Sequence, residues 1–256
     1  MIFVLDIGNS DITTGIWLGN EWKHVWRLPT DTDLTAFHYT AKLRDLFLEA
    51  SLKTDAVQQV VISSVVPDIT DRVNLAVANL TEIQPLVLGA AVYSHLPLKI
   101  LNPNQIGSDL VCNALAAYTT FKSACVVVDF GTALTFTTIS AEGEIIGVSI
   151  VPGLKTSIKA LTQNTAQLFE VPLVVPVSVL GKDTTHAIQA GVLHGYEGLV
   201  RTMLHKIKSE LQNESLPVVA TGGLSSILPA LQNEFTSINR NLTLDGLRLS
   251  GEYARG

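Results

Sequence analysis

Ile2-Phe3-Val4-Leu5-Asp6-Ile7-Gly8-Asn9-Ser10 opens the chain, and Ala124-Cys125-Val126-Val127-Val128-Asp129-Phe130-Gly131-Thr132-Ala133 repeats its pattern about halfway along the 256 residues. Each copy is an apolar run, a carboxylate, one residue, a glycine, small polar residues and a second β-like run. A buried strand of this kind delivers its carboxylate to the strand tip. The glycine lets the backbone turn tightly, so that its N–H groups can approach an anion. Asparagine and hydroxyl side chains add neutral donors. Such a tip suits a metal–phosphate group, with the carboxylate towards the cation and the turn towards the phosphate. An ordinary hairpin turn uses the same residue types. Two such tips in one chain point to a duplicated fold with a nucleotide between the halves.

The segments around these tips follow one plan. Ile12–Leu18 alternates as a half-buried strand should, and the turn at Gly19-Asn20 leads to a third strand, Trp22–Leu28. Helical spacing covers 33–52, a β-rich run covers 57–63, and Pro67 opens a helix over 68–80, where proline is tolerated in the first turn. A short apolar run at 86–88 and a helix over 107–121 complete the first half. The second half has strands at 125–129, 134–140 and 145–150, with Glu142-Gly143 as a turn. Helical patterns follow at 154–168 and 184–212, then a strand at 217–220, a helix at 226–235 and a last helix within 241–255. A β-meander followed by alternating helices and strands, given twice, predicts an α/β protein with mixed sheets. The halves are expected at 1–118 and 119–256.

Composition limits the partners. Apolar residues make up 47% and charged residues 16% of the chain, which fits a globular protein with a substantial core. The net charge of −6 and a pI near 5.5 argue against nucleic acid and against a membrane surface. An acidic protein that binds phosphates does so with local donors and bound cations. Cys112 and Cys125 both read as buried thiols. Met1 leads into a strand without a basic leader, and the apolar runs are too short to span a bilayer, so the expected location is the cytoplasm.

Two further sites carry chemistry-bearing residues. Val218-Val219-Ala220-Thr221-Gly222-Gly223 is a strand ending in two glycines, which permits close approach of a flat or phosphorylated group. Asp109, in Gly107-Ser108-Asp109, stands at a helix start. It reads either as a first-turn carboxylate that complements the helix dipole or as a general base. His186 and His194 show no metal-ligand pairing, and no P-loop or zinc spacing is present.

Six motifs in order resemble the type III pantothenate kinase family. They are Asp6-Ile7-Gly8-Asn9-Ser10, Ser63-Ser64-Val65-Val66-Pro67, Gly107-Ser108-Asp109, Asp129-Phe130-Gly131-Thr132-Ala133, Pro152-Gly153-Leu154 and Thr221-Gly222-Gly223. The C-terminal Leu242-Thr243-Leu244-Asp245-Gly246-Leu247 also fits. The resemblance implies two ribonuclease-H-like halves of the actin/hexokinase/Hsp70 type, a homodimer, and transfer of the ATP γ-phosphate to pantothenate. Asp6 would hold the Mg²⁺–phosphate complex, with Gly8, Asn9 and Ser10 around the phosphates. Asp109 would be the base near the attacking hydroxyl, in a substrate site with Gly107, Ser108, Ile100 and Thr184. Asp129 would bind a monovalent cation, K⁺ or NH₄⁺. Gly131, Thr132, Gly222 and Gly223 would face the nucleotide.

The chain departs from the family pattern at three places. Leu110 stands where arginine usually follows the Gly-x-Asp, Ile100 replaces a tyrosine before Asn-Pro, and Thr137 replaces an aspartate. A leucine forgoes a charge-assisted hydrogen bond worth about 1.5–3 kcal/mol. A second reading, from another class, is therefore a nucleotide-binding homologue with weak or no kinase activity in an accessory role. A third is a kinase for another small hydroxylated acceptor.

Overall fold

The computed structural model describes residues 1–165 and 167–255. Their contacts group into two units, Met1–Ala116 with Leu242–Gly256, and Ala117–Asn241.

The first unit begins with the antiparallel strands β1 (Ile2–Ile7), β2 (Asp11–Leu18) and β3 (Glu21–Pro29). Gly19 and Asn20 both take positive φ, 62° and 65°, as a tight hairpin with right-handed strand twist requires. Helix α1 (Ala36–Glu49), strand β4 (Gln59–Ser64), helix α2 (Pro67–Thr81), strand β5 (Leu86–Val87), the short helix α3 (Ala90–Tyr93) and helix α4 (Ser108–Phe121) follow. β4 and β5 run parallel to β1, so the sheet order is β3-β2-β1-β4-β5.

The second unit repeats that order. Strands β6 (Cys125–Phe130), β7 (Ala133–Ile139) and β8 (Ile145–Pro152) form the meander. Helices α5 (Leu154–Gln163), α6 (Thr184–Gln189) and α7 (Gly195–Glu210) come next, with a π-helical turn over Ala190–His194 joining the last two. Strands β9 (Val218–Thr221) and β10 (Ser237–Ile238) are parallel to β6, which gives the order β10-β9-β6-β7-β8. The two sheets are topological copies. The chain is thus α/β, with two ribonuclease-H-like halves of mixed sheet flanked by helices.

Alternation along the inner strands explains where the two aspartates stand. Phe3, Leu5 and Ile7 pack with Tyr39, Leu43 and Phe47 of α1 and Ile69, Val73 and Val77 of α2. Successive strand residues point to opposite faces, so Val4 and Asp6 lie on the other face. In β6, Val126, Val128 and Phe130 pack with Tyr196, Val200 and Leu204 of α7. Val127 and Asp129 therefore take the opposite face there. Cys112 and Cys125 are free, buried thiols.

Three expectations change. The last helix, α8 (Leu242–Tyr253), lies with the first unit rather than with the second half. It packs there because Trp22 Nε1 donates to Asp245 Oδ1 at 2.8 Å and Gln59 Nε2 donates to Gly251 O at 2.8 Å. The helix expected over 154–168 stops at Gln163, since Asn164 Nδ2 and Thr165 Oγ1 take the carbonyls of Ala160 and Leu161 at its end. The helix expected over 226–235 is a 3₁₀ helix over Pro229–Glu234, begun by a proline that disfavours helical geometry in the residue before it.

Candidate active site

In the first unit, the turn after β1 is exposed at Asn9 and Ser10, while the strand behind it is buried. Gly8 N–H donates to Asp11 O at 3.0 Å and closes the turn. Thr30, just past β3, holds the other side. Its Oγ1 donates to Gly8 O at 2.6 Å and its N–H donates to Ser10 O at 3.0 Å. One residue thus engages two carbonyls of the turn and ties it to the end of β3. Nothing in the sequence pattern singled out Thr30.

Parallel pairing sets Asp6 beside Ser63 of β4. Ser63 Oγ lies 2.9 Å from Ser108 Oγ, at the first residue of α4. Asp109 follows at once, and its Oδ1 accepts from Leu110 N–H at 2.8 Å. The carboxylate folds back over Gly107, where an added Cβ would collide with Oδ1. Gly107 is therefore the residue that leaves room for this carboxylate. Burial pushes the Asp109 carboxyl up, and the backbone N–H groups of Leu110 and Asp109 offset only part of that.

Asp6 and Asp109 belong to one neighbourhood. Burial pushes the Cys112 thiol well up, and the charges of both Asp6 and Asp109 push it further. The Tyr93 hydroxyl is raised to about 12 by burial, then by Cys112 and Asp109. Neither thiol nor phenol is therefore ionised near neutral pH. Sequence reading linked Asp6 and Asp109 only through resemblance; their convergence within one unit is a structural result. Leu110 is buried, 8% exposed, and Ile100 is half-buried in the loop before α4.

In the second unit, Asp129 pairs in register with Thr221 of β9, just as Asp6 pairs with Ser63. Gly222 has φ +89°, and a Cβ there would lie 2.5 Å from Asp129 Oδ1 and 2.6 Å from the Phe130 carbonyl carbon. The Gly131–Thr132 turn is exposed and is closed by Gly131 N–H donating to Ala133 O at 3.1 Å. Pro152-Gly153-Leu154 buttresses it. Gly153 N–H and Thr156 Oγ1 both donate to Thr132 O, at 2.9 and 2.6 Å. Asp129, Gly131 and Gly222 are brought together, with Thr132 adjoining and Gly223 exposed beside them. Thr184 is exposed at the start of α6, next to the N-cap Asp183, whose Oδ1 accepts from His186 N–H at 2.8 Å. His186 and His194 are engaged by the backbone carbonyls of Ser178 and Pro176.

Among the described residues there is no group of three or more His, Cys, Asp or Glu that could cage a metal. The donor set does fit a Mg²⁺ ion that arrives with a nucleotide, since that ion takes one or two carboxylates and completes its shell with phosphate oxygens and water. No described helix is long and apolar enough to cross a membrane.

Residues 2–206 match the family model for type III pantothenate kinase. A type III pantothenate kinase of Treponema pallidum subsp. pallidum is 44% identical over 252 residues, covering 96% of this chain and 92% of that one. The type III pantothenate kinase of Anaeromyxobacter sp. strain K is 38% identical over 255 residues and is matched over 100% of both chains. In structure, the chain is similar to MreB 5 of Spiroplasma citri bound to AMPPNP, with a TM-score of 0.50 and 12% identity over 99% of this chain and 96% of that one. That likeness concerns the fold.

Proposed function

The chain belongs to the type III pantothenate kinase family, and from that premise we propose how its own residues serve the reaction. The enzyme transfers the γ-phosphate of ATP to the primary hydroxyl of pantothenate, giving 4'-phosphopantothenate, the first step towards coenzyme A. Phosphoryl transfer needs positioning and charge neutralisation more than covalent help. Asp109 accepts the proton of the attacking hydroxyl. Its burial raises its proton affinity above that of an exposed carboxylate, in the direction a general base requires. Gly107 and Ser108 keep that carboxylate in place, and Ile100 and Thr184 belong to the acceptor side.

Asp6 holds the Mg²⁺–phosphate complex, with Gly8, Asn9 and Ser10 around the phosphates. Bound Mg²⁺ neutralises phosphate charge. Gly131, Thr132, Gly222 and Gly223 face the nucleotide, and Asp129 serves a monovalent cation, K⁺ or NH₄⁺. A cytoplasmic homodimer completes the reading. The observation that carries the proposal is geometric: Asp6 pairs with Ser63, and Ser63 Oγ lies 2.9 Å from Ser108 Oγ, the residue before Asp109, so that two carboxylates far apart in sequence are brought close. The test is ADP release from purified protein supplied with ATP, Mg²⁺ and K⁺. Release that depends on pantothenate supports the reading, and its absence overturns it. Light scattering checks the dimer, and replacing K⁺ by Na⁺ checks the cation.

One observation favours the second reading, a nucleotide-binding homologue with little turnover in an accessory role. Leu110 is buried where the family pattern carries arginine. That reading predicts ATP binding by calorimetry without pantothenate-dependent ADP. A third outcome, ADP release with a different small hydroxylated acceptor, assigns another substrate.

A further inference from the structure

The Ser63-Ser64 pair of the Ser-Ser-Val-Val-Pro motif has no role in the chemistry above, yet its hydroxyl chemistry is specific. Ser63 is wholly buried and Ser108 is 5% exposed. Three hydrogen bonds meet at Ser108 Oγ. Ser64 N–H donates to it at 3.1 Å, it can donate to Ser64 O at 3.1 Å, and Ser63 Oγ lies at 2.9 Å. A serine hydroxyl has one proton and two lone pairs. Ser108 can direct its proton to Ser64 O or to Ser63 Oγ, and either hydroxyl can donate in the Ser63–Ser108 pair. Ser108 Oγ is thus held among three polar neighbours on the end of β4.

This hydroxyl joins two elements that each carry a proposed reacting group. Ser63 and Ser64 end β4, which is in register with Asp6 and Ile7 of β1. The pairing extends one step further, with Val65 N–H donating to Ile7 O at 3.0 Å. Ser108 begins α4 and immediately precedes Asp109. Ser64 is also braced from the other side, its Oγ lying 2.7 Å from Thr70 Oγ1 of α2. The bonds therefore run without a break from the strand that carries Asp6 to the residue before Asp109.

We infer that Ser63 and Ser64 are positioning residues: through Ser108 they register the Asp109 carboxylate against Asp6. The inference rests on the proposed roles of Asp109 and Asp6. Near-attack geometry tolerates little error, and a displacement of about 1 Å can cost about a hundredfold in rate. Loosening the bond at Ser63 should therefore act on kcat more than on nucleotide affinity.

The experiment is a double-mutant cycle with Ser63→Ala, Asp109→Asn and the pair, reading kcat, KM for each substrate, ADP affinity by calorimetry and the thermal midpoint. Ser63→Ala should lower kcat about tenfold or more, with ADP affinity unchanged. In the Asp109→Asn background it should cause little further loss, because the group it positions is gone. Ser63→Thr, which retains the hydroxyl, should recover most of kcat. An unchanged kcat in Ser63→Ala, or an equal loss in both backgrounds, overturns the positioning role while leaving Asp109 as base. Full activity in Asp109→Asn alone overturns the base assignment, and with it the inference. If Ser63→Ala fails to fold, Ser108→Thr against Ser108→Ala asks the same question with the hydroxyl kept or removed. Equal kcat in those two variants overturns the inference.

Discussion

At Asp109, the proposed base, stability and function are expected to pull apart. Its carboxyl is raised above the ordinary carboxylate range by burial. A group raised in the folded state favours folding most when protonated, at low pH. The cost of burying its charge appears as pH rises through the shifted value. Asp109→Asn removes that cost. It should raise the thermal midpoint of nucleotide-free protein at neutral pH, and the gain should shrink as pH falls towards the ordinary carboxylate range. Melting curves across pH check the sign. The same substitution should lower kcat by about 10²–10⁴-fold, the usual contribution of a positioned base. The acidic helix start was legible in the sequence because Gly107-Ser108-Asp109 is compact and polar. Its burial, and its approach to Asp6, depend on tertiary packing that no local pattern encodes. Thr30 escaped notice for a related reason: it fastens a turn 22 residues away, and threonine after a strand is ordinary.

Among the elements, the strand ends carry the proposed site and their backbone geometry is unforgiving. Gly222 ends β9 with φ +89°, and a Cβ there meets both Asp129 and the Phe130 backbone. Gly222→Ala should therefore destabilise the protein by more than about 1 kcal/mol, since strained φ adds to the collision. It should also weaken ATP binding, because Asp129 and the Gly131 turn would have to shift. Chemical denaturation and calorimetry on the same variant check both effects. The inner strands and their carboxylate tips were readable because buried parallel strands give nearly continuous apolar runs. The element ends were less so. α5 stops early because Asn164 and Thr165 compete for its last carbonyls, and Pro229 turns an expected α-helix into a 3₁₀ segment. The two-residue strands β5 and β10 and the one-turn helix α3 are too short for periodicity to register.

For the molecule as a whole, the sequence order of halves is not the packing order. α8 comes last in the chain but lies against the first sheet, with Gly251 close over Val61 of β4 and Leu244 close over Gly15 of β2. Leu242, Leu244 and Leu247 are each 3% exposed or less. At Gly246 the helix meets the backbone of Cys112 in α4, and a Cβ there would collide with the Cys112 carbonyl. Thr243 Oγ1 donates to Asn113 Oδ1 at 2.8 Å in the same contact. The C-terminal helix thus supports the helix that starts at Ser108 and carries Asp109. Gly246→Val should consequently act at a distance. Overpacking of this kind costs about 1–3 kcal/mol, or roughly 2–4 °C of thermal midpoint per kcal/mol for a chain of this size. Because α4 is what must move, kcat should fall even at temperatures where the variant is folded. Gly198 supplies the contrast. It lies within α7, and nothing stands within 4 Å of an added Cβ. Gly198→Ala should hold kcat steady and raise stability by about 0.4–1 kcal/mol. Equal behaviour of the two variants in melting and steady-state assays would show that the α8–α4 contact is passive. A fall in kcat confined to Gly246→Val would tie the last helix of the chain to the geometry of the base.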